Sequence, residues 1–202
     1  MTRIKLCGLS RPQDIDVVNE LMPEYIGFVF AKKSRRYVTP QTAATLRSRL
    51  NPRIQAVGVF VNAPVQEIAA LLDEGILDAA QLHGSENGTY MEELRARTDK
   101  PLIQAFRIDA AQDVQRAEQS SADLILLDSG SGGTGTCFDW TLLQGVKRPY
   151  FLAGGLTPEN AGKAVRALCP YAVDVSSGIE TGGMKDAEKM RAFVQAVRGA
   201  QK

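Results

Sequence analysis

Cys7 ends the alternating stretch RIKLC and is followed at once by Gly8, so a strand here sets Lys5 and Cys7 on one face with the thiol at its carboxyl end. A cysteine in that place is either a small hydrophobe filling a core or a thiol positioned for chemistry, and free cysteines are among the most buried residues. Other polar groups stand at similar run ends. Asp128 closes the apolar LILL, Gln81 and His83 share a face in AAQLH, and Asp174 and Ser176 share one in YAVDVSS. Lys32, Lys33, Arg35 and Arg36 form a basic cluster. Such a cluster is either a solvated loop or the source of an arginine that clamps a carboxylate with two hydrogen bonds. His83 is the only histidine, which excludes HExxH and multi-histidine metal sites, and it reads as a hydrogen-bonded structural residue. GxGxxG is absent. The stretch SGSGGTGTCFDW lacks the Gly-Lys-Ser/Thr ending of a phosphate-binding P-loop and reads as a mobile loop beside a pocket.

These residues need a scaffold, and the periodicity supplies one. Short apolar runs rich in β-formers recur as IKLC, YIGFVF, IQAVGVFV, LDAAQLH, PLIQAFRI, DLILLD, YFLAGG and YAVDVSS. Helical spacing or helix-start signals lie between most of them. Ile15, Val18 and Met22 follow SRPQD, Ile68, Leu71 and Leu72 follow NAPVQE, and Thr157-Pro158 leads into Ala161, Ala164, Val165 and Leu168. A last helix carries Ala187, Met190, Val194 and Val197, while FDWTLLQG after the sixth run is the weakest helical segment. Eight repeated βα units predict an α/β fold closed as a single (β/α)8 barrel of the TIM type over residues 1–202, with an open flavodoxin-like sheet as the alternative. Barrel active sites collect at the carboxyl ends of the strands, where Cys7, Asp128 and Asp174 all fall. The loops after strands seven and eight, AGGLTPEN and SSGIETGGMKD, are both glycine-rich. Either alone is an ordinary turn, but in adjacent positions they predict a phosphate site built from backbone N–H groups.

Composition narrows the partners. With 24 basic and 23 acidic side chains the net charge is +1, which recruits neither nucleic acid nor an anionic membrane by bulk field. No apolar run has the roughly 20 residues of a membrane span. Three separated cysteines, Cys7, Cys137 and Cys169, form no CxxC pair and predict a reducing cytoplasm. A small phosphorylated molecule is the expected ligand, with no metal or organic cofactor.

Taken together, KLCGLSRPQD, IGFVF, KSRRYV, VGVFVN, QLHGSE, QAFR, LLDS, GGTG, FDW, LAGGLTPEN, VDVSSGIE and GMKD resemble the phosphoribosylanthranilate isomerases of tryptophan biosynthesis nearly end to end. The resemblance implies a compact (β/α)8 barrel that needs no cofactor, active as a monomer or, alternatively, a dimer. It implies Cys7 as general base, Asp128 as general acid and Arg36 for the anthranilate carboxylate. It places Asp174 near the sugar hydroxyls and the backbone around Gly154, Gly155, Ser177 and Gly178 on the phosphate. Two positions depart from the family pattern: Arg35 stands where proline is usual, and Gly183-Met184 where proline-glycine is common. Neither is a proposed catalytic group, but the first leaves Arg35 as the neighbouring alternative to Arg36.

The implied reaction is an Amadori rearrangement, in which one acid opens the sugar ring and one base removes the C2′ proton. A related barrel in histidine biosynthesis uses an aspartate as its base, so Cys7 points to the anthranilate substrate. Lys5 is a candidate for raising the thiolate fraction, and burial against Leu126 for keeping Asp128 protonated. A non-catalytic phospho-ligand-binding barrel is the competing reading. A thiol redox enzyme is a third, which calls for a resolving cysteine or a histidine partner.

Overall fold

The computed structural model describes residues 1–128 and 140–200. The stretch expected to form a mobile loop, with Cys137, falls on 129–139 and lies outside the described residues.

Strand and helix alternate as β1 (Arg3–Cys7), α1 (Pro12–Leu21), β2 (Tyr25–Val29), α2 (Pro40–Arg49), β3 (Gln55–Phe60), α3 (Val65–Asp73), β4 (Ala79–Leu82) and α4 (Gly88–Arg95). They continue as β5 (Leu102–Arg107), α5 (Ala111–Glu118), β6 (Leu124–Asp128), β7 (Tyr150–Ala153), α6 (Pro158–Leu168) and β8 (Ala172–Val175). A two-strand ribbon of β9 (Glu180–Thr181) and β10 (Met184–Lys185) then precedes α7 (Ala187–Gly199). Strands β1 to β8 pair in parallel and in chain order, and β8 closes onto β1 with Lys5 opposite Asp174. The open-sheet alternative is thereby excluded.

The eight apolar runs all become strands because each can bury both faces, as parallel strands must. Outward residues such as Ile4, Leu6, Ile26, Phe28, Ile125, Leu127 and Val173 join the layer beneath the helices. Inward ones, among them Tyr25, Val57, Ala79, Ile103, Leu126, Phe151 and Ala172, fill the barrel. The ring of Phe151 meets those of Tyr25 and Tyr171 edge-on at 5.3 and 5.7 Å between centroids.

Helix starts follow local chemistry. Asp186 accepts hydrogen bonds from the N–H groups of Glu188 and Lys189, and Asn87 accepts one from Tyr90. At α6, Asn160 accepts from the Thr157 N–H at 2.8 Å and donates to the Gly155 carbonyl at 2.8 Å. That helix start is thus tied to the loop before it. After β6 the described residues form a short 3-10 turn, Trp140–Leu143, in place of a full helix.

Candidate active site

A cavity of about 320 Å³ opens at the carboxyl ends of the strands. Its wall includes Cys7, Arg36, His83, Asp128, Gly154, Gly155, Asp174 and Ser177. The side chains expected to do chemistry are therefore brought to one space. Cys7 comes from β1 and Asp128 from β6, on different walls of the barrel. Around the thiol, Val29, Val59 and Ala31 form an apolar patch. Gly27 pairs with Cys7 across the β1–β2 ladder, and a Cβ there would sit 2.5 Å from the Cys7 sulfur. Only glycine leaves the thiol its place.

Beneath the cavity floor lies a polar layer. Lys5 is fully buried and donates to Gln81 Oε1 at 2.9 Å and to both Asp174 carboxylate oxygens at 3.1 Å. Burial opposes its charge, but Asp174 and Cys7 outweigh that and hold its pKa above the ordinary lysine value. For Cys7 the balance runs the other way. Burial pushes the thiol pKa up, and the opposing pull of Lys5 does not cancel it. Lys5 therefore does not by itself supply a thiolate, because its charge is engaged by Asp174.

Arg36 and Arg35 divide clearly. Arg36 is on the cavity wall with its side chain 21 % exposed, whereas the Arg35 side chain is 60 % exposed. Both reach Glu180, which the sequence reading did not single out. Arg36 donates from Nε to Oε1 at 2.6 Å and from Nη2 to Oε2 at 2.8 Å, and Arg35 Nη2 donates to Oε2 at 2.7 Å. Lys185 adds a third cation, 2.7 Å from Glu180 Oε1. Burial alone would raise the Glu180 pKa, but hydrogen bonds from Arg36 and Lys185 bring it down to about 2. Five guanidinium N–H groups minus the two given to Glu180 leave three on Arg36 for a ligand. No local signal marks Glu180, since an acidic residue in the strand-eight loop faces the basic cluster only once the barrel closes.

His83 is hydrogen-bonded, and it also stands on the cavity wall. Its ring is 38 % exposed on the cavity wall, with Nδ1 2.8 Å from Gln81 Nε2 and Nε2 3.8 Å from Asp128 Oδ2. Asp128 is 28 % exposed, so Leu126 packs below it without burying it. At the phosphate loops, Gly154 and Gly155 have φ of 87° and 61°, a backbone that other residues rarely adopt. Gly178 lies behind the wall that Ser177 joins, and a Cβ on it would overlap the Leu156 carbonyl oxygen. It is there for close packing of the two loops. Among the described residues, no group of three or more His, Cys, Asp or Glu side chains is arranged to hold a metal ion. No helix among them is long and apolar enough to cross a membrane.

The family model described as N-(5'phosphoribosyl)anthranilate (PRA) isomerase matches residues 4–196. The chain belongs to this isomerase family. The N-(5'-phosphoribosyl)anthranilate isomerase of Endomicrobium trichonymphae is 43 % identical over 98 % of this chain and 99 % of its own. The crystal structure of phosphoribosyl anthranilate isomerase from Thermotoga maritima superposes with a TM-score of 0.90 at 35 % identity, covering 98 % of this chain and 100 % of that one. A phosphoribosyl anthranilate isomerase solved with reduced 1-(o-carboxyphenylamino)-1-deoxyribulose 5-phosphate has a TM-score of 0.88 at 34 % identity, covering 98 % of this chain and 100 % of that one. As a phosphoribosylanthranilate isomerase family member, the chain is an isomerase.

Proposed function

We propose that this isomerase converts N-(5′-phosphoribosyl)anthranilate to 1-(2-carboxyphenylamino)-1-deoxyribulose 5-phosphate, with Cys7 as general base and Asp128 as general acid. The observation that carries the reading is one cavity whose wall includes both the Cys7 thiol and the Asp128 carboxyl, contributed by strands one and six. A barrel that only bound a phospho-ligand would need neither group.

In this mechanism Asp128 gives its proton to the furanose oxygen as the C1′–O bond breaks, and the anilino nitrogen lone pair forms the C=N bond. The iminium charge acidifies C2′, whose proton passes to Cys7. The resulting enolamine tautomerises to the ketone. The thiol is raised by burial, so the iminium charge, not the engaged Lys5, favours the thiolate at the moment it is needed. The step requires Asp128 to carry its proton when the ring opens.

The remaining wall suits the rest of the substrate. Val29, Val59 and Ala31 offer an apolar surface to the anthranilate ring, and Arg36, steadied by Glu180, offers its outer N–H edge to the carboxylate. Gly154, Gly155 and Ser177 offer backbone to the phosphate, with Gly178 setting the loop's approach. Asp174 is within reach of sugar hydroxyls while paired to Lys5. This reading treats residues 1–202 as one catalytic domain, acting as a monomer or a dimer in the cytoplasm. The test is to incubate the purified chain with phosphoribosylanthranilate and follow loss of its fluorescence. Turnover that disappears with a substrate lacking the 5′-phosphate is expected, and no turnover of the intact substrate would refute the assignment.

A further inference from the structure

The hydrogen bonds beneath the cavity fix a proton that no static contact displays. Lys5 Nζ carries only hydrogens to donate, so the Gln81 atom 2.9 Å from it is the carbonyl oxygen. Lys5 has no room to turn away, being fully buried and held by both oxygens of Asp174. The amide nitrogen of Gln81 is thereby turned toward His83, where it too has only hydrogens to give. His83 Nδ1 at 2.8 Å must accept, and an imidazole that accepts at Nδ1 carries its proton on Nε2. That N–H faces Asp128 Oδ2 at 3.8 Å across the cavity wall.

We infer that His83 is a positioning residue of the isomerisation, locked by Lys5 and Gln81 as the Nε2–H tautomer so that it presents a hydrogen to Oδ2 of Asp128 as that carboxyl gives up its proton. The inference rests on Asp128 being the general acid. During ring opening the O–H bond of the Asp128 carboxyl breaks, an O–H bond forms on the sugar oxygen, and the C1′–O bonding pair goes to that oxygen. The carboxylate left behind draws in the His83 N–H, and the 3.8 Å contact shortens to a hydrogen bond as negative charge develops. The proton on His83 never leaves the ring. The chain from Lys5 through Gln81 to His83 also joins the two walls, since Lys5 is on the strand that carries Cys7.

The chain's single histidine makes the tautomer directly readable, because both imidazole nitrogen signals of the ¹⁵N-labelled full-length protein belong to His83. Long-range ¹H–¹⁵N correlation at neutral pH is expected to find Nε2 protonated and Nδ1 bare. Gln81→Glu puts an acceptor where the donor was, and is expected to move the proton to Nδ1 and lower kcat about 10- to 100-fold, with KM changed far less. His83→Gln, whose amide nitrogen reaches the Nε2 position, should retain most of kcat, while His83→Asn should lose it. If Gln81→Glu does not fold, the two His83 variants carry the kinetic comparison and the wild-type spectrum carries the tautomer. A proton on Nδ1 in the wild type, an unchanged spectrum in folded Gln81→Glu, or wild-type kcat in His83→Asn would each overturn the role. Absence of turnover in the wild type would instead overturn the isomerase assignment, and the positioning role with it, whatever the spectrum reads.

Discussion

Cys7 and Glu180 show how one protein environment moves two acids in opposite directions. The Cys7 thiol is buried against Val29 and Val59, and burial pushes its pKa up despite Lys5. The reactive form is the thiolate acting with a protonated Asp128, so raising the pH gains one partner as it loses the other and turnover does not simply follow the thiolate fraction. Cys7→Ser should cost at least about 100-fold in kcat, the lower end of what a general base contributes, while an inhibitor resembling the product still binds. A serine variant of full kcat would make the thiol core packing. Glu180, with its side chain only 4 % exposed, is pulled down to about 2 by its cation partners. A depressed carboxyl stabilises the fold fully above its ordinary value of about 4.5 and loses that contribution as pH falls toward 2. The shift corresponds to roughly 3 kcal/mol. Urea unfolding of the wild type should therefore weaken between pH 5 and pH 2, and Glu180→Gln should be weaker at pH 7 with a shallower acid decline.

At the scale of elements, β1 and β2 are joined by a feature as demanding as any catalytic group. Gly27 faces Cys7 so closely that a methyl group would stand 2.5 Å from the sulfur and 3.1 Å from the Cys7 Cα. Gly27→Ala should destabilise by about 1–3 kcal/mol, as overpacking does, and lower kcat by displacing the thiol. Wild-type kcat and stability in this variant would mean the ladder gives more easily than its geometry implies. The strands themselves were legible in the sequence because each is a short apolar run bounded by turns. So was the start of α6, through Thr157-Pro158. Helix α2 was not, since PQTAATLRSR buries only Ala43 and Leu46 and its spacing is faint. Cys7, Asp128 and Asp174 were readable as polar residues at strand ends, Arg36 only as one of a basic cluster, and the four do meet in one cavity. Glu180 and the approach of His83 to Asp128 were not legible for one physical reason. The partners lie 144 and 45 residues away, Arg36 and Asp128, and spacing along the chain cannot register such pairs.

The molecule as a whole is closed by one ladder, and Lys5 and Asp174 face each other across it. Asp174→Ala leaves a buried ammonium without its carboxylate partner, which should cost about 3–5 kcal/mol in chemical unfolding. Lys5→Met combined with Asp174→Leu should recover much of that loss while abolishing turnover, separating what the pair does for folding from what it does for the cavity. If Asp174→Ala is as stable as the wild type, water or a rearranged Gln81 satisfies the cation. These two residues are 169 positions apart. A ribosome adding about 5–20 residues per second makes the lysine roughly ten to thirty seconds before its counterion exists. During that interval the nascent chain holds its first strand with an unsatisfied charge at the centre and must keep that strand wet. Barrel closure is thus deferred to the end of synthesis, when β8 exists to pair with β1 and bring Asp174 to the waiting lysine.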